Sequence, residues 1–264
     1  MYDNVCKFIT EEFTADIATW LLGTPVKLTV LTFGELSLER IRADSIILQD
    51  VDKNLVLHLE FESDPDPEIP IRMFEYRLRV YRRFPEKRMR QIVIYLRKTD
   101  SQLVHQTSLV LENTKHSFDV IRIWERKPTE FLNPNCVGLL PFAVLSNTEN
   151  PQQILNQVAQ VIEKIPERRV QVNLISSVAI LAGLVLKEEV IKTIIREDVM
   201  RESVIYQQIW RTGFDRGRLE SKQETQKQIA RALLRENMSL EQVARLTEMT
   251  IEKVRSLQNS VDNN

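Results

Sequence analysis

Three acidic residues in the first quarter of the chain could together bind a divalent metal ion. Asp44 lies in the run "RIRADSIILQD" (residues 40–50), and Glu60 and Glu62 end the run "LVLHLEFE" (residues 55–62). Both runs are predicted to be β-strands, and the intervening "DVDKN" is typical of a hairpin turn. Pairing of these strands would bring the face that carries Asp44 level with Glu60. Since carboxylate oxygens favour Mg²⁺ or Mn²⁺ over zinc, the pattern predicts a site for a hard cation.

The same acids have a second interpretation that needs no metal ion. Glu60 and Glu62 could cross a solvated strand end and pair with Arg72 or Arg42. Asp44 is harder to explain in this way, because a lone carboxylate in an apolar strand is costly to bury without a partner. Both interpretations therefore stay open on spacing alone.

A further acidic residue lies in the predicted N-terminal helix. The run "YDNVCKFITEEFTADIATWLLG" has helical periodicity, and Gly23 with Pro25 is expected to end it. On a helical wheel Asp16 falls within the apolar stripe, where a carboxylate requires a partner or a metal ion. Asp16 is therefore a candidate metal ligand, with a local cap or ion pair as the alternative.

A small net charge of −1 conceals a strong charge asymmetry along the chain. Residues 60–68 hold five acids and no base, whereas residues 72–98 hold ten bases and two acids. Charge blocks of this kind often form solvated faces. A basic helix beside an acidic strand end is also what a phosphodiester-cutting site needs, since cations hold the backbone and acids hold a metal ion.

The composition is that of an ordinary globular protein, with 264 residues, 43% of them hydrophobic and 28% charged. Cys6 and Cys136 are the two cysteines, and without a signal-peptide pattern they indicate a reducing compartment. The longest apolar run, residues 172–186, is shorter than the ~20 residues of a membrane span. We therefore expect a cytoplasmic protein with no membrane segment.

The order of predicted elements is α-β-β-β-α-β, followed by a further strand and a helical C-terminal region. Residues 134–145 are predicted to be a loop-rich connection. The tail contains a capping box at Ser239 and Gln242 and resembles a helix-turn-helix. It could contact DNA, pack on the body of the protein, or form a homodimer with a second copy. The predicted segments are a domain over 1–145, a helical region over 146–210, a linker or exposed arm over 211–222, and the tail over 223–258.

Asp44 followed by Glu60-Phe61-Glu62 at the end of a hydrophobic strand resembles the PD-(D/E)XK nuclease superfamily. The fuller run "LHLEFESDPDPEIPIRMFEYRLRVYRRFP" followed by "MRQIVIYL" is similar to its recombination-promoting nuclease (Rpn) or putative transposase family. The likeness covers roughly residues 1–145. It implies a restriction-endonuclease-like fold and a Mg²⁺- or Mn²⁺-dependent DNA endonuclease associated with recombination or mobile elements.

The resemblance also implies roles for individual residues. Asp44 and Glu60 match the metal-binding acids of the family, and Arg72 and Tyr76 match a helix that faces the scissile phosphate. Arg79 on the same helix is a further candidate for binding the substrate. Glu62 is a departure, because the superfamily usually has lysine there and this family often has glutamine. It would accept a proton from water or help to bind a second metal ion.

Three functional hypotheses follow from these patterns. The first is the metal-dependent DNA endonuclease with Asp44, Glu60 and Glu62 as catalytic residues. The second is a catalytically degenerate nuclease fold that binds DNA, which the replacement at Glu62 motivates. The third is an assembly module whose helical region oligomerises without any role for nucleic acid.

Overall fold

The structure is a computed structural model that describes residues 2–24, 26, 28–30, 46–50, 54–236 and 238–261. The described chain is a mixed α/β protein with a mixed sheet and a helical C-terminal region. Its contacts divide it into two compact units, Met1–Gln207 and Gln208–Asn264.

The first unit begins with two helices where the sequence predicted one. Helix α1 spans Tyr2–Glu12 and α2 spans Thr14–Leu22, with Phe13 between them. The predicted end at Gly23 agrees with the structure, since Gly23 closes α2 in the left-handed conformation (φ 74°) that glycine adopts without a Cβ clash.

The sheet combines an antiparallel meander with two parallel strands. Strands β1 (Leu28–Val30), β2 (Ile46–Asp50) and β3 (Leu55–Glu62) are antiparallel neighbours. Helix α3 (Ile69–Arg83) then carries the chain over to β4 (Arg88–Tyr95), which pairs with β3 in parallel. Apart from the division of the first predicted helix into α1 and α2, the described elements through β4 follow the predicted α-β-β-β-α-β order, while the nuclease fold itself stays a prediction.

In place of the further strand that the sequence predicted after β4, the structure has a hairpin and a short strand. Strands β5 (Ser108–Leu111) and β6 (Thr114–Ser117) form a separate two-stranded sheet. Strand β7 (Asp119–Arg122) then pairs with β4 in parallel and completes the five-stranded order β1-β2-β3-β4-β7.

The predicted loop over residues 134–145 is largely a buried 3₁₀ helix, Val137–Leu145. Pro141 lies inside it and has no N–H to donate, so the segment cannot form a regular α-helix. Its apolar residues instead enter the core: the Phe142 ring lies 5.9 Å from Phe61 and 6.0 Å from Trp20 between centroids, in stacked arrangements. This segment therefore packs the N-terminal helices against one face of the sheet.

The rest of the described chain is helical. Helices α4 (Pro151–Glu163), α5 (Arg168–Ala182), α6 (Glu188–Ile194) and α7 (Glu197–Arg201) follow, and then α8 (Val204–Arg235), α9 (Leu240–Thr247) and α10 (Ile251–Val261). Residues 211–222, predicted to be a linker or an exposed arm, lie within α8.

A small apolar core holds the tail together, formed by Ala230, Val243, Ala244 and Val254. The predicted capping box is present, because Ser239 accepts a hydrogen bond from the Gln242 N–H and the Gln242 side chain accepts one from Ser239. Contact of this tail with DNA, and a homodimer, stay predictions. No helix within the described residues is both long and apolar enough to cross a membrane.

Truncation of Phe142 tests the aromatic packing of this core. We expect Phe142→Ala to lower the free energy of unfolding by about 3–5 kcal/mol, because it leaves a cavity beside Trp20 and Phe61. Tyr81, which is 52% exposed, provides the control, and Tyr81→Ala should cost less than about 1 kcal/mol. Urea unfolding of both variants measures the difference, and equal losses would contradict this account of the core.

Candidate functional site

The acidic end of β3 is covered by helix α3. Successive side chains of a strand point to opposite faces, so His58, Glu60 and Glu62 share one face of β3. The six central residues of β3 are buried, and Glu60 is only 1% exposed. The strand end is therefore not the solvated one of the second sequence interpretation, and Glu60 requires partners inside the protein.

Arg72 of α3 supplies the positive charge at this strand end. Its Nη2 contacts the Glu62 carboxylate closely, its Nη1 donates to Asp66 Oδ2 at 2.9 Å, and its Nε lies 3.8 Å from Glu60 Oε2. Arg72 is itself only 7% exposed, so these ion pairs are largely screened from water. We call Glu60, Glu62 and Asp66, with Arg72 between them, the carboxylate cluster.

The pairing between Arg72 and Glu62 agrees with one part of the second sequence interpretation. The other proposed partner, Arg42, lies outside the described residues, as does Asp44. The register pairs Ile46 and Leu48, on whose face of the strand the sequence placed Asp44, with Leu59 and Leu57. Directly paired residues share a face of the sheet, so this face of β2 lies on the side away from Glu60, contrary to the prediction.

Burial and like charge set the protonation behaviour of the cluster. Burial raises the pKa of Glu62 to about 8; the positive charge of Arg72 opposes this shift, and the negative charges of Glu60, Asp3 and Asp66 add to it. Burial, followed by the charge of Glu62, raises the pKa of neighbouring Tyr95 to about 12. Burial and the neighbouring carboxylates therefore disfavour the ionised forms of Glu62 and Tyr95.

Asp16 belongs to a different part of the structure. Its Oδ2 accepts a hydrogen bond from the Gly138 N–H at 2.8 Å, which ties α2 to the buried 3₁₀ segment Val137–Leu145. Burial raises the pKa of Asp16, and this hydrogen bond partly offsets the shift. This partner is a backbone N–H 122 residues away along the chain, so it is neither the local cap nor the ion pair of the predicted alternative, while metal binding by Asp16 stays a prediction.

Tyr76 and Arg79 lie one and two helical turns beyond Arg72. Tyr76 is only 3% exposed, and its ring packs on the imidazole of His58 at 4.5 Å between centroids. The Arg79 guanidinium lies over the Tyr76 ring at 5.7 Å. Contact of either residue with a substrate stays a prediction.

Sequence reasoning missed several polar residues around the cluster. His58 lies within the run "LVLHLEFE" and was not among the candidate residues, yet its Nε2 lies 3.1 Å from Glu60 Oε1. Asp66 and Asp3 contribute to the cluster through an ion pair and through charge, respectively. The period of two along β3 could have revealed His58, whereas the sequence carried no comparable signal for Asp3.

Five of the ten basic residues in the range 72–98 lie on α3, where they are spread along the helix and are not gathered at the carboxylate cluster. Arg82 and Arg83 follow Arg72 by ten and eleven residues, which is about 15 Å at 1.5 Å per residue. At this end of the helix, Arg83 and Lys87 lie over the Phe84 ring at 5.7 Å and 4.9 Å. The basic residues at this end of α3 therefore form a cationic and aromatic surface about 15 Å along the helix from Arg72.

The donor set of the cluster fits a hard cation in chemical type. Glu60 and Glu62 offer carboxylate oxygens, and three carboxylates surround a single guanidinium. Among the residues that the structure describes, no group of three or more acidic, histidine or cysteine side chains is arranged to hold a metal ion. Metal binding at the cluster therefore stays a prediction.

Comparison with models of protein families, with curated proteins and with solved structures finds no match for this chain.

Removal of the Arg72 guanidinium tests its role in holding the cluster together. We expect Arg72→Met to lower the free energy of unfolding at neutral pH by about 3–5 kcal/mol, because it leaves buried Glu60 without the nearby cation. Arg82, which is exposed on the same helix, provides the control, and Arg82→Met should cost less than about 1 kcal/mol. Urea unfolding measures both, and a small effect at Arg72 would contradict the role assigned to it.

Two substitutions test the structural role of the Asp16 carboxylate. Asp16→Ala should lower the free energy of unfolding by about 1–3 kcal/mol, since the Gly138 N–H loses its acceptor. Asp16→Asn keeps an acceptor oxygen and should retain most of that stability. Chemical denaturation measures the free energy of unfolding of both variants. An Asn variant as unstable as the Ala variant would contradict the role assigned to this hydrogen bond.

Proposed function

We propose that the chain is a divalent-metal-dependent DNA endonuclease that hydrolyses phosphodiester bonds, associated with recombination or mobile elements. The observation that carries this proposal is the carboxylate of Glu60, buried beside Glu62 at the carboxyl end of a central strand. A protein buries a carboxylate at such a cost chiefly where it is paired or binds a metal ion. The resemblance of the surrounding sequence to the Rpn family supports the same activity.

The residues of the proposed active site have distinct roles. Glu60 and Asp44 would bind Mg²⁺ or Mn²⁺, and Glu62, whose side chain is 16% exposed, would accept a proton from the attacking water. The chemistry that a divalent cation supplies at such a site is activation of water near neutral pH and stabilisation of charge on the phosphate. Arg72 would orient Glu62 through their ion pair.

The cationic surface at the end of α3 supports DNA as the substrate. Arg82 and Arg83 are exposed there, and the side chains of Arg83 and Lys87 both contact the Phe84 ring. Lys and Arg side chains contact backbone phosphates without regard to sequence, and their contribution falls as salt rises. A duplex bound along α3 could extend from this surface towards the carboxylate cluster.

A second candidate function is DNA binding by a catalytically degenerate nuclease fold. The observation that favours it is the Arg72 guanidinium, which already supplies positive charge to Glu60 and Glu62. Glu62 also favours this function, because the PD-(D/E)XK superfamily that the sequence resembles usually has lysine at that position. Under this proposal the chain binds DNA in a salt-sensitive manner and cleaves none.

Cleavage of supercoiled plasmid separates the two functions. We expect the full chain to nick the plasmid in Mg²⁺ or Mn²⁺ and not in EDTA. Glu60→Gln should lower the rate about 100-fold or more, because loss of a metal ligand costs at least as much as loss of its outer partners. Asp44→Ala should have the same effect.

Glu75→Gln provides the matched control, since Glu75 is an exposed acid on α3 whose nearest ion-pair contact is Arg79 at 3.9 Å. Equal cleavage by wild type, Glu60→Gln and Asp44→Ala would overturn the endonuclease proposal. A wild-type chain that shifts DNA on a gel at ~50 mM salt but cuts none would establish the second candidate instead.

A further inference from the structure

A row of polar side chains connects Glu60 through His58 and Gln91 to His116 of β6. His58 and Gln91 are direct neighbours across the parallel pair β3 and β4. Gln91 bonds to His58 at 3.0 Å and to the main-chain oxygen of Met73 at 2.8 Å. His116, which is half-buried on β6, bonds to Gln91 Oε1 at 2.8 Å.

These contacts determine which ring nitrogen of His58 carries the proton. The Met73 oxygen can only accept, so the Gln91 nitrogen faces it and the Gln91 oxygen accepts from His116. The second N–H of Gln91 then donates to His58 Nδ1. His58 must carry its proton on Nε2, which donates to Glu60 Oε1 at 3.1 Å.

We infer that His58 is a positioning residue for Glu60, held in one tautomer and one orientation by Gln91. This inference rests on the proposed function, because it concerns the carboxylate that would bind the metal ion. The hydrogen bond from His58 occupies Oε1 and leaves Oε2 on the side of Arg72, whose Nε lies 3.8 Å away. Partners of this kind orient a metal-binding carboxylate and tune its affinity.

A role in packing alone would not require this arrangement. His58 is 0% exposed and Gln91 is 5% exposed, so both side chains are almost fully removed from water. Apolar side chains of similar size would fill the same space without the desolvation of polar groups. The polar row instead directs one N–H to one oxygen of Glu60, and the Tyr76 ring packs on the imidazole that donates it.

Binding of Mn²⁺ to the full chain without DNA, followed by electron paramagnetic resonance and calorimetry, tests the inference. We expect His58→Leu to weaken Mn²⁺ binding about tenfold or more. His58→Gln should keep affinity close to that of wild type, because an amide can accept from Gln91 and donate to Glu60. His105→Leu provides the matched control, since His105 is exposed in a 3₁₀ turn and should leave affinity unchanged.

Gln91→Leu keeps the inference testable if His58→Leu fails to fold, and it should also weaken Mn²⁺ binding. Normal affinity in folded His58→Leu or Gln91→Leu, with weak affinity in Glu60→Gln, would overturn the positioning role and leave the proposed metal site standing. Affinity that is equally weak in His58→Gln and His58→Leu would also overturn it. A wild-type chain that binds no Mn²⁺ would overturn both the metal site and the inference.

Discussion

The burial of Arg72 among three carboxylates is the interaction on which this region of the structure depends. Its guanidinium joins Glu62 and Asp66 and lies 3.8 Å from Glu60 Oε2. A buried carboxylate without a nearby cation is costly, so the crossover helix α3 and the strand β3 must pack with Arg72 in this place. The position of α3 over the sheet therefore depends on the carboxylates of β3, which its Arg72 must reach.

A second constraint operates on the same face, two residues earlier along β3. His58 and Gln91 lie at one level of the parallel pair, and the Gln91 amide also bonds to the backbone of α3 at Met73. Hydrogen bonds of fixed direction therefore connect sheet and helix beside the ion pairs of Arg72. Apolar contacts, in which Met73 packs with Val93 and Tyr95, fill the remaining space.

Aromatic packing, with a hydrogen bond beside it, stabilises the opposite face of the sheet. Phe61 points away from α3 and stacks with Phe142 of the 3₁₀ segment, and Asp16 accepts a hydrogen bond from Gly138 at the start of that segment. This face is apolar apart from such hydrogen bonds. Strand β3 therefore has a polar face, where the proposed chemistry lies, and an apolar face, which packs against the 3₁₀ segment.

The period-two pattern of residues 55–62 alone determined that His58, Glu60 and Glu62 share one face of a strand, because side-chain alternation is a local property of the backbone. Only the tertiary structure decided that Arg72 enters between the acids, that Tyr76 packs on His58, and that Asp16 binds Gly138. Such pairings depend on how a helix sits on a sheet and on contacts across more than a hundred residues. Local periodicity carries no information about either.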